Sequence, residues 1–191
     1  MCLEATTATA LTGSRVPGSG DDQMTPKESE AGAAAEFWEL LEPVNRKVYN
    51  FIRKTSGFSQ DADDIFQETV LQAFRYFRTF RRGAKFEGWL FAIAHNELRK
   101  HFRKAAGAPG PLESEAVGGP GPTRREDLVR EVFRFAEALP PRRREVFFLF
   151  YDSGFSMGEI SEITGLREGN IKFILHQART NLKTIMGEKN G

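Results

Sequence analysis

Ser156-Met157-Gly158-Glu159-Ile160-Ser161-Glu162-Ile163-Thr164-Gly165-Leu166-Arg167-Glu168-Gly169-Asn170-Ile171-Lys172 decides the fold of this chain. Ser156, followed three residues later by Glu159, is a capping box, so a helix begins at Met157. Gly165 stops it at a short turn of the kind that often needs glycine. A second helix starts near Glu168 and runs to about Ile185. Ile160, Ile163, Leu166, Ile171, Leu175, Ala178 and Leu182 can close one small core between the two. That is helix-turn-helix geometry.

With that core closed, the last helix exposes Lys172, Phe173, His176, Gln177, Arg179, Thr180 and Lys183. Cations hold phosphates, while Gln and Arg can address base edges in a major groove. A plain helical hairpin with a solvated face has the same periodicity. The mixture of cations and hydrogen-bonding groups favours duplex DNA over it.

Upstream, Leu128, Val129, Val132, Phe133, Ala136 and Leu139 mark one helix, and Arg142 to Asp152 marks the next. Pro140-Pro141 separates them, with Pro141 suited to the first turn of the second. Before these lies Ala105 to Thr123, where nine of 19 residues are Gly or Pro. No helix or buried strand survives that composition. As a flexible coil it spans roughly 25 Å on average and about 60 Å pulled straight.

The N-terminal side of this linker reads as three more helices. Phe37, Leu40, Leu41, Val44, Val48, Phe51 and Ile52 recur from Glu36 onward. A second helix runs from about Asp61 to Phe77, with Ile65, Phe66, Thr69, Val70, Ala73, Phe74 and Phe77 as its buried stripe. Its opposite face carries Asp64, Gln67, Glu68 and Leu71. Arg81 to Gly88 is read as a loop, and Trp89 to about Lys104 as the third helix. No strand pattern or internal repeat is visible. The expected fold is all-α: a tail at residues 1–35, read as disordered; a helical domain at 36–104; a flexible Gly/Pro-rich linker at 105–124; a second helical domain at 125–186; and a short tail at 187–191. Met1 and Met24 are both candidate starts.

The formal net charge of +1 hides an asymmetry. Arg75 to Lys104 holds nine Lys/Arg against Glu87 and Glu97, whereas Asp61 to Glu68 holds four acids and no base. Two anionic and cationic blocks side by side suggest two different partners. The basic block is interleaved with Phe80, Phe86, Trp89 and Phe91, which suits single-stranded DNA: bases stack on rings while cations follow the backbone. These aromatics can equally be core, the favoured reading for Trp89. Asn96, Arg99, Lys100 and Arg103 share one polar face.

Other classes find little support. The one cysteine, Cys2, forms no internal disulfide and lacks zinc-site spacing. The first twenty residues carry no secretory signal pattern, and the longest apolar run, Val146 to Tyr151, is too short to cross a bilayer. The chain reads as a reduced cytoplasmic protein without membrane insertion. His95-Asn96-Glu97 contains an H-x-E, but the P-C-x-x-C partner of zinc deaminases is missing. His95 and His101, six apart, point to different faces of a helix and do not chelate one metal. Asp63 and Asp64 are adjacent, so they do not face each other as an acid–base pair. No catalytic residue, metal or cofactor is expected.

The motifs together resemble the extracytoplasmic-function group of sigma factors in the sigma-70 family. Asp61-Ala62-Asp63-Asp64-Ile65-Phe66-Gln67-Glu68-Thr69-Val70-Leu71 is similar to region 2.2, and Phe86-Glu87-Gly88-Trp89-Leu90-Phe91-Ala92-Ile93-Ala94-His95-Asn96 to regions 2.3 and 2.4. Leu139-Pro140-Pro141-Arg142 through Val146, then Gly154-Phe155-Ser156, Glu159-Ile160, Gly165 and Gly169-Asn170-Ile171-Lys172, resemble region 4. The resemblance covers roughly Glu36 to Lys104 and Glu126 to Lys183, and its order and spacing are more specific than any single motif.

The resemblance implies a non-enzymatic subunit that binds core RNA polymerase and directs it to promoters. Asp64, Gln67, Glu68 and Leu71 would meet the β′ clamp helices, with a further contact to the β subunit. Phe86, Trp89, Asn96, Arg99, Lys100 and Arg103 would hold melted −10 DNA, Asn96 beside a flipped base. Lys172, Phe173, His176, Gln177 and Arg179 would read the −35 duplex. An anti-sigma factor is an expected partner beside polymerase and promoter DNA. Ala92 and His95 stand where many relatives have Arg, Asn170 replaces the usual Thr, and Ile174 and Gln177 stand where Arg is common; these changes bear on promoter sequence rather than class. A stand-alone helix-turn-helix regulator is the alternative. It leaves the acidic helix and the basic aromatic block without a role.

Overall fold

Helices form where apolar residues recur at three and four, and the computed structural model describes residues 26–57, 59–81, 83–105 and 124–188. In chain order these are α1 (Pro26–Thr55), α2 (Ala62–Tyr76), a 3-10 turn at Phe77–Thr79, α3 (Phe86–Ala105), α4 (Arg124–Glu137), α5 (Pro141–Tyr151), α6 (Met157–Thr164) and α7 (Glu168–Glu188). Among the described residues there is no strand. The all-α expectation stands.

Two boundaries differ from the sequence reading, each for a physical reason. Helix α1 begins at Pro26, inside the stretch expected to be a disordered tail at 1–35. Residues 26–35 lack large apolar side chains and so show no periodicity. They include Ala33, Ala34 and Ala35, strong helix formers that extend a helix already anchored at Phe37. The rest of that tail and most of the expected linker, residues 1–25 and 106–123, lie outside the described residues. Helix α3 starts at Phe86, so Gly88 falls in its first turn rather than in a loop. Phe86 is buried and its ring packs edge-on against Phe80 and Phe37. That anchor outweighs the helix cost of a glycine, about 1 kcal/mol.

The N-terminal helices share a core of Phe37, Leu41, Val48, Phe51 and Ile52 from α1, Ile65 and Ala73 from α2, and Leu90, Phe91, Ala94 and Leu98 from α3. Each large side chain buried there contributes roughly 1.5–3 kcal/mol. Phe74, expected in the buried stripe of α2, is instead 44% exposed. It stacks on the likewise exposed Trp38 of α1 at 6.5 Å between ring centres.

Helix α5 organises the C-terminal helices. Arg144, Glu145, Val146, Phe147, Phe148 and Leu149 are all buried, a run that covers every side of the helix. A helix buried all round needs neighbours all round. Helices α4, α6 and α7 supply some of them, and α1 of the N-terminal group supplies another. Helix α3 packs on α6 as well, so one continuous core runs through both groups.

The turn that decided the fold forms as expected. The Ser156 hydroxyl accepts from the Glu159 N–H at 3.3 Å, and the Ser156 N–H donates to the Glu159 carboxylate at 3.0 Å. Gly165 takes a left-handed conformation, φ 69°, where a side chain would be strained. Lys85, ahead of α3, also reaches Glu159 at 2.7 Å. The Lys85 hydrogen bond, then those from Ser156, hold the Glu159 carboxyl down to about 2 from 4.5. A depressed carboxyl stabilises the fold above its ordinary range and ceases to do so as pH falls through its folded value. We therefore expect Glu159→Ala to cost about 0.5–1 kcal/mol near neutral pH, the scale of a capping contact discounted for an exposed lysine partner. Urea unfolding should show the gap from wild type narrowing between pH 4.5 and about 2. A gap that is constant down to that pH would contradict the assignment.

Candidate nucleic-acid interface

Helix α7 buries Ile171, Leu175 and Ala178 against α5 and α6 and leaves Lys172, Phe173, His176, Arg179, Thr180 and Lys183 exposed. The turn beneath it is tied by side chains: the Ser161 hydroxyl donates to the Leu166 carbonyl at 2.6 Å, and Thr164 donates to the Ile160 carbonyl at 2.6 Å. The outer face is thus presented on a fixed support. Gln177 departs from the expected stripe. It is half-buried, and its amide oxygen is buried without a hydrogen-bond partner. His176 and Arg179 are the exposed groups with base-reading chemistry, and Phe173, 56% exposed, offers an apolar contact of the kind that meets a thymine methyl.

Helix α3 presents the second face. Asn96, Arg99, Lys100 and Arg103 are all exposed along one side, as their spacing requires. Lys100 pairs with Glu97 at 2.6 Å. A groove of about 700 Å³ opens between this face and the start of α5, lined in part by Tyr76, Asn96, Arg99, Arg103, Arg142 and Thr164. The aromatics of the basic block do not line up as a stacking platform. Phe86 and Phe91 are buried, which removes Phe86 from the candidate DNA contacts in this conformation. Trp89 is half-buried and packs on Phe77, Phe80 and Phe86 at 5.2–6.5 Å between ring centres. Tyr76, 56% exposed beside the cations, is the ring a base could stack on, and the sequence reading missed it. The signal was present: Tyr76 lies between Arg75 and Arg78, one residue before the end of a stripe that closes at Phe77 and off its period.

The acidic face of α2 is separate from both. Asp64 and Gln67 are exposed, Leu71 is 51% exposed, and Glu68 is half-buried and accepts from the Gln72 amide at 2.6 Å. Leu71, Phe74 and Trp38 make an exposed apolar surface beside these acids, a mixture that suits a protein partner.

One further polar constellation was not foreseen. His95, on α3, lies 2.5 Å through Nδ1 from the Glu145 carboxylate on α5, and both side chains are buried. Next to it, Arg144 donates to the carbonyl of Thr55 at the end of α1, at 3.3 Å, and to that of Glu137 at the end of α4. Burial lowers the pKa of Arg144. Among the described residues no group of His, Cys, Asp or Glu could hold a metal, and no helix is long and apolar enough to cross a membrane.

Comparison with known proteins is consistent in both halves. The Sigma-70 region 2 family model matches residues 40–107, and Sigma-70 region 4 matches residues 130–182. The ECF RNA polymerase sigma factor EcfG of Rhodopseudomonas palustris is 33% identical over 71% of this chain and 77% of its own length. The ECF RNA polymerase sigma factor SigM of Mycobacterium tuberculosis is 29% identical, over 84% and 82%. Among solved structures, the sigma factor RpoE in complex with the anti-sigma factor NepR from Bartonella quintana shares the fold, with a TM-score of 0.67 and 24% identity over 80% of this chain and 97% of RpoE. CnrH in complex with the cytosolic domain of CnrY aligns with a TM-score of 0.59 and 25% identity, over 83% and 95%.

The α7 face makes a prediction about ions. A lysine that touches phosphate displaces condensed cations, so Lys172→Ala should lower duplex affinity for all sequences alike. It should also reduce the slope of log affinity against log salt by about one. Titrations of the full chain on several duplexes at two or more salt concentrations test this. An effect confined to one sequence would instead make Lys172 a base reader.

Proposed function

The chain belongs to the ECF RNA polymerase sigma factors, and from that premise we propose how its surfaces divide the work. It binds core RNA polymerase and directs promoter-specific initiation of transcription. Sigma factors are non-enzymatic: polymerase performs the bond chemistry. The observation that carries the assignment of surfaces is the presence, on one chain, of two exposed cationic faces, on α3 and α7, and a separate acidic and apolar face on α2.

Asp64, Gln67, Glu68 and Leu71 on α2 are the contact for the β′ clamp helices. The exposed Leu71 supplies the apolar centre and the acids the charge complementarity. Asn96, Arg99, Lys100 and Arg103 on α3 hold the melted −10 strand, with Trp89 at the margin. Lys172, Phe173, His176 and Arg179 on α7 read the −35 duplex, with Gln177 at the edge of that face. Residues 36–104 and 125–186 act as separate readers joined by the Gly/Pro-rich linker, and the second also contacts the β subunit. Each reader alone binds weakly; tethering both to one polymerase makes the pair selective through effective concentration. The chain works in the cytoplasm, with polymerase. Its structural neighbour RpoE was solved with an anti-sigma factor, which supports an anti-sigma partner here too. A stand-alone helix-turn-helix regulator would need only α4–α7, and the region 2 match disfavours it.

Two outcomes test these roles. Gln67→Ala with Glu68→Lys should weaken core binding about tenfold or more, with helical content unchanged, because both lie away from the Ile65/Ala73 stripe. Normal core binding with loss of DNA alone would overturn the α2 assignment. Asn96→Ala should lower run-off transcription from duplex promoters but spare a template already melted at −10, where the cost of opening has been removed. Equal loss on both templates would contradict the −10 role.

A further inference from the structure

A melted strand is held by rings as well as by cations, because bases stack on a flat apolar surface while the cations follow the backbone. The α3 face supplies the cations Arg99, Lys100 and Arg103, but the rings near them in sequence are engaged elsewhere. Phe86 and Phe91 are buried, and Trp89 lies against Phe77, Phe80 and Phe86. Among the described residues, five phenylalanine, tyrosine and tryptophan rings are exposed: Trp38, Phe74, Tyr76, Tyr151 and Phe173. Trp38 and Phe74 stack on each other. Tyr151 lies against Phe147 and Phe150 at 4.8 and 5.0 Å between ring centres. Phe173 belongs to the α7 face. Tyr76 is the remaining one, and among the described residues no other ring packs on it.

The backbone that carries this ring is held from both sides. Ala73, nearly one turn before it on α2, is fully buried. Phe77, the next residue, is buried among Phe37, Phe80, Phe86 and Trp89. The Thr79 hydroxyl donates to the Tyr76 carbonyl at 2.7 Å, which ties the 3-10 turn to the end of the helix. The ring thus stands in solvent on a fixed base. Tyr76 and Gln72, one turn apart on α2, line the groove that Asn96, Arg99 and Arg103 line from α3. Helices packed side by side keep their axes roughly 8–10 Å apart, so the ring and the Asn96 carboxamide face one shared space from two walls. A tyrosine ring has only two side-chain torsions to order, so little entropy is lost when a base settles on it.

We propose that Tyr76 is the stacking platform for the melted −10 strand: its ring takes one base across the groove from Asn96, while Arg99 and Arg103 hold the phosphates alongside. The proposal rests on the functional reading above and adds a residue to it. The two side chains differ in kind. Every base has a π face, so a stacked ring holds the strand whichever base it meets. A carboxamide addresses a base edge, and edges differ from base to base. Tyr76 therefore positions the strand and Asn96 discriminates. Trp89 stays at the margin, because three neighbouring rings already cover it.

The test uses the full chain assembled with purified core polymerase. Its probe is a single-stranded oligonucleotide carrying the −10 non-template strand of a promoter that this holoenzyme transcribes, titrated by fluorescence anisotropy. Tyr76→Ala should weaken binding about tenfold, the scale of one lost base–ring stack, with helical content and core binding unchanged. Tyr76→Phe, which keeps the ring, should bind like the parent. Abasic nucleotides placed one at a time along the strand then locate the contact. At one position the abasic site should cost the parent about tenfold and the Tyr76→Ala holoenzyme nothing more, since two changes that remove one interaction do not add. At that position all four bases should lose affinity alike on Tyr76→Ala. Parent-like binding by Tyr76→Ala, or losses that add at every position as a structural role predicts, would overturn the proposal. Arg99→Ala with Arg103→Ala separates it from the functional reading. If that double variant loses the strand and Tyr76→Ala does not, the stacking role alone fails. If neither loses it, the −10 assignment of α3 fails and the stacking role falls with it.

Discussion

A helix buried on every side imposes the main constraint on this molecule. Helix α5 carries six successive buried residues, Arg144 to Leu149, and three neighbouring helices of its own group do not enclose it. The end of α1 completes the enclosure. Two charged residues are carried inside by this arrangement, and each must find a partner there. Arg144 finds backbone carbonyls at the ends of α1 and α4, and Glu145 finds His95 on α3. The relation between the two groups of helices follows from these partners. The surfaces left outside follow in turn.

Those surfaces are the ones to which the proposed function is assigned. The chain exposes an acidic and apolar face on α2, a cationic face on α3 and a mixed cationic face on α7, each on a different side of a helix whose other side is core. A net charge near zero is compatible with strong nucleic-acid binding because the charges are segregated rather than balanced locally. On the proposed assignment, the same segregation keeps the contact for polymerase on a different helix from the contacts for DNA. Sigma factors as a family are non-enzymatic initiation factors. The contribution of this chain is positioning, and weak contacts on a tethered frame suffice for selectivity.

Much of this was legible in the sequence where the deciding forces are local. The Ser156–Glu159 capping box, the stop at Gly165, Pro141 in the first turn of α5 and the exposed row Asn96, Arg99, Lys100 and Arg103 depend on residues a few positions apart, and they formed as read. Where packing between distant segments decides, the reading went astray. Phe74 fits a buried period and touches the core through Phe37, yet 44% of it stays exposed beside Trp38, whereas Phe86 looked like a stacking ring and is held inside by four other aromatics. Gln177 fell on the exposed stripe by count, yet its amide oxygen turns inward. The His95–Glu145 pair joins residues 50 apart across the Gly/Pro-rich stretch. Neither periodicity nor composition carries information about such a partner, so it could be found only from the packed structure.

On the proposed function the chain is two DNA readers that polymerase holds at one separation. The most direct measurement is run-off transcription with purified core polymerase on a promoter series in which the interval between the −35 and −10 elements varies one base pair at a time. Two readers on one frame predict a sharp optimum. Activity should collapse when about five base pairs are inserted, since half a helical turn carries the −35 edge to the far side of the duplex. Transcription that is indifferent to the interval, or that survives removal of either element, would contradict the account.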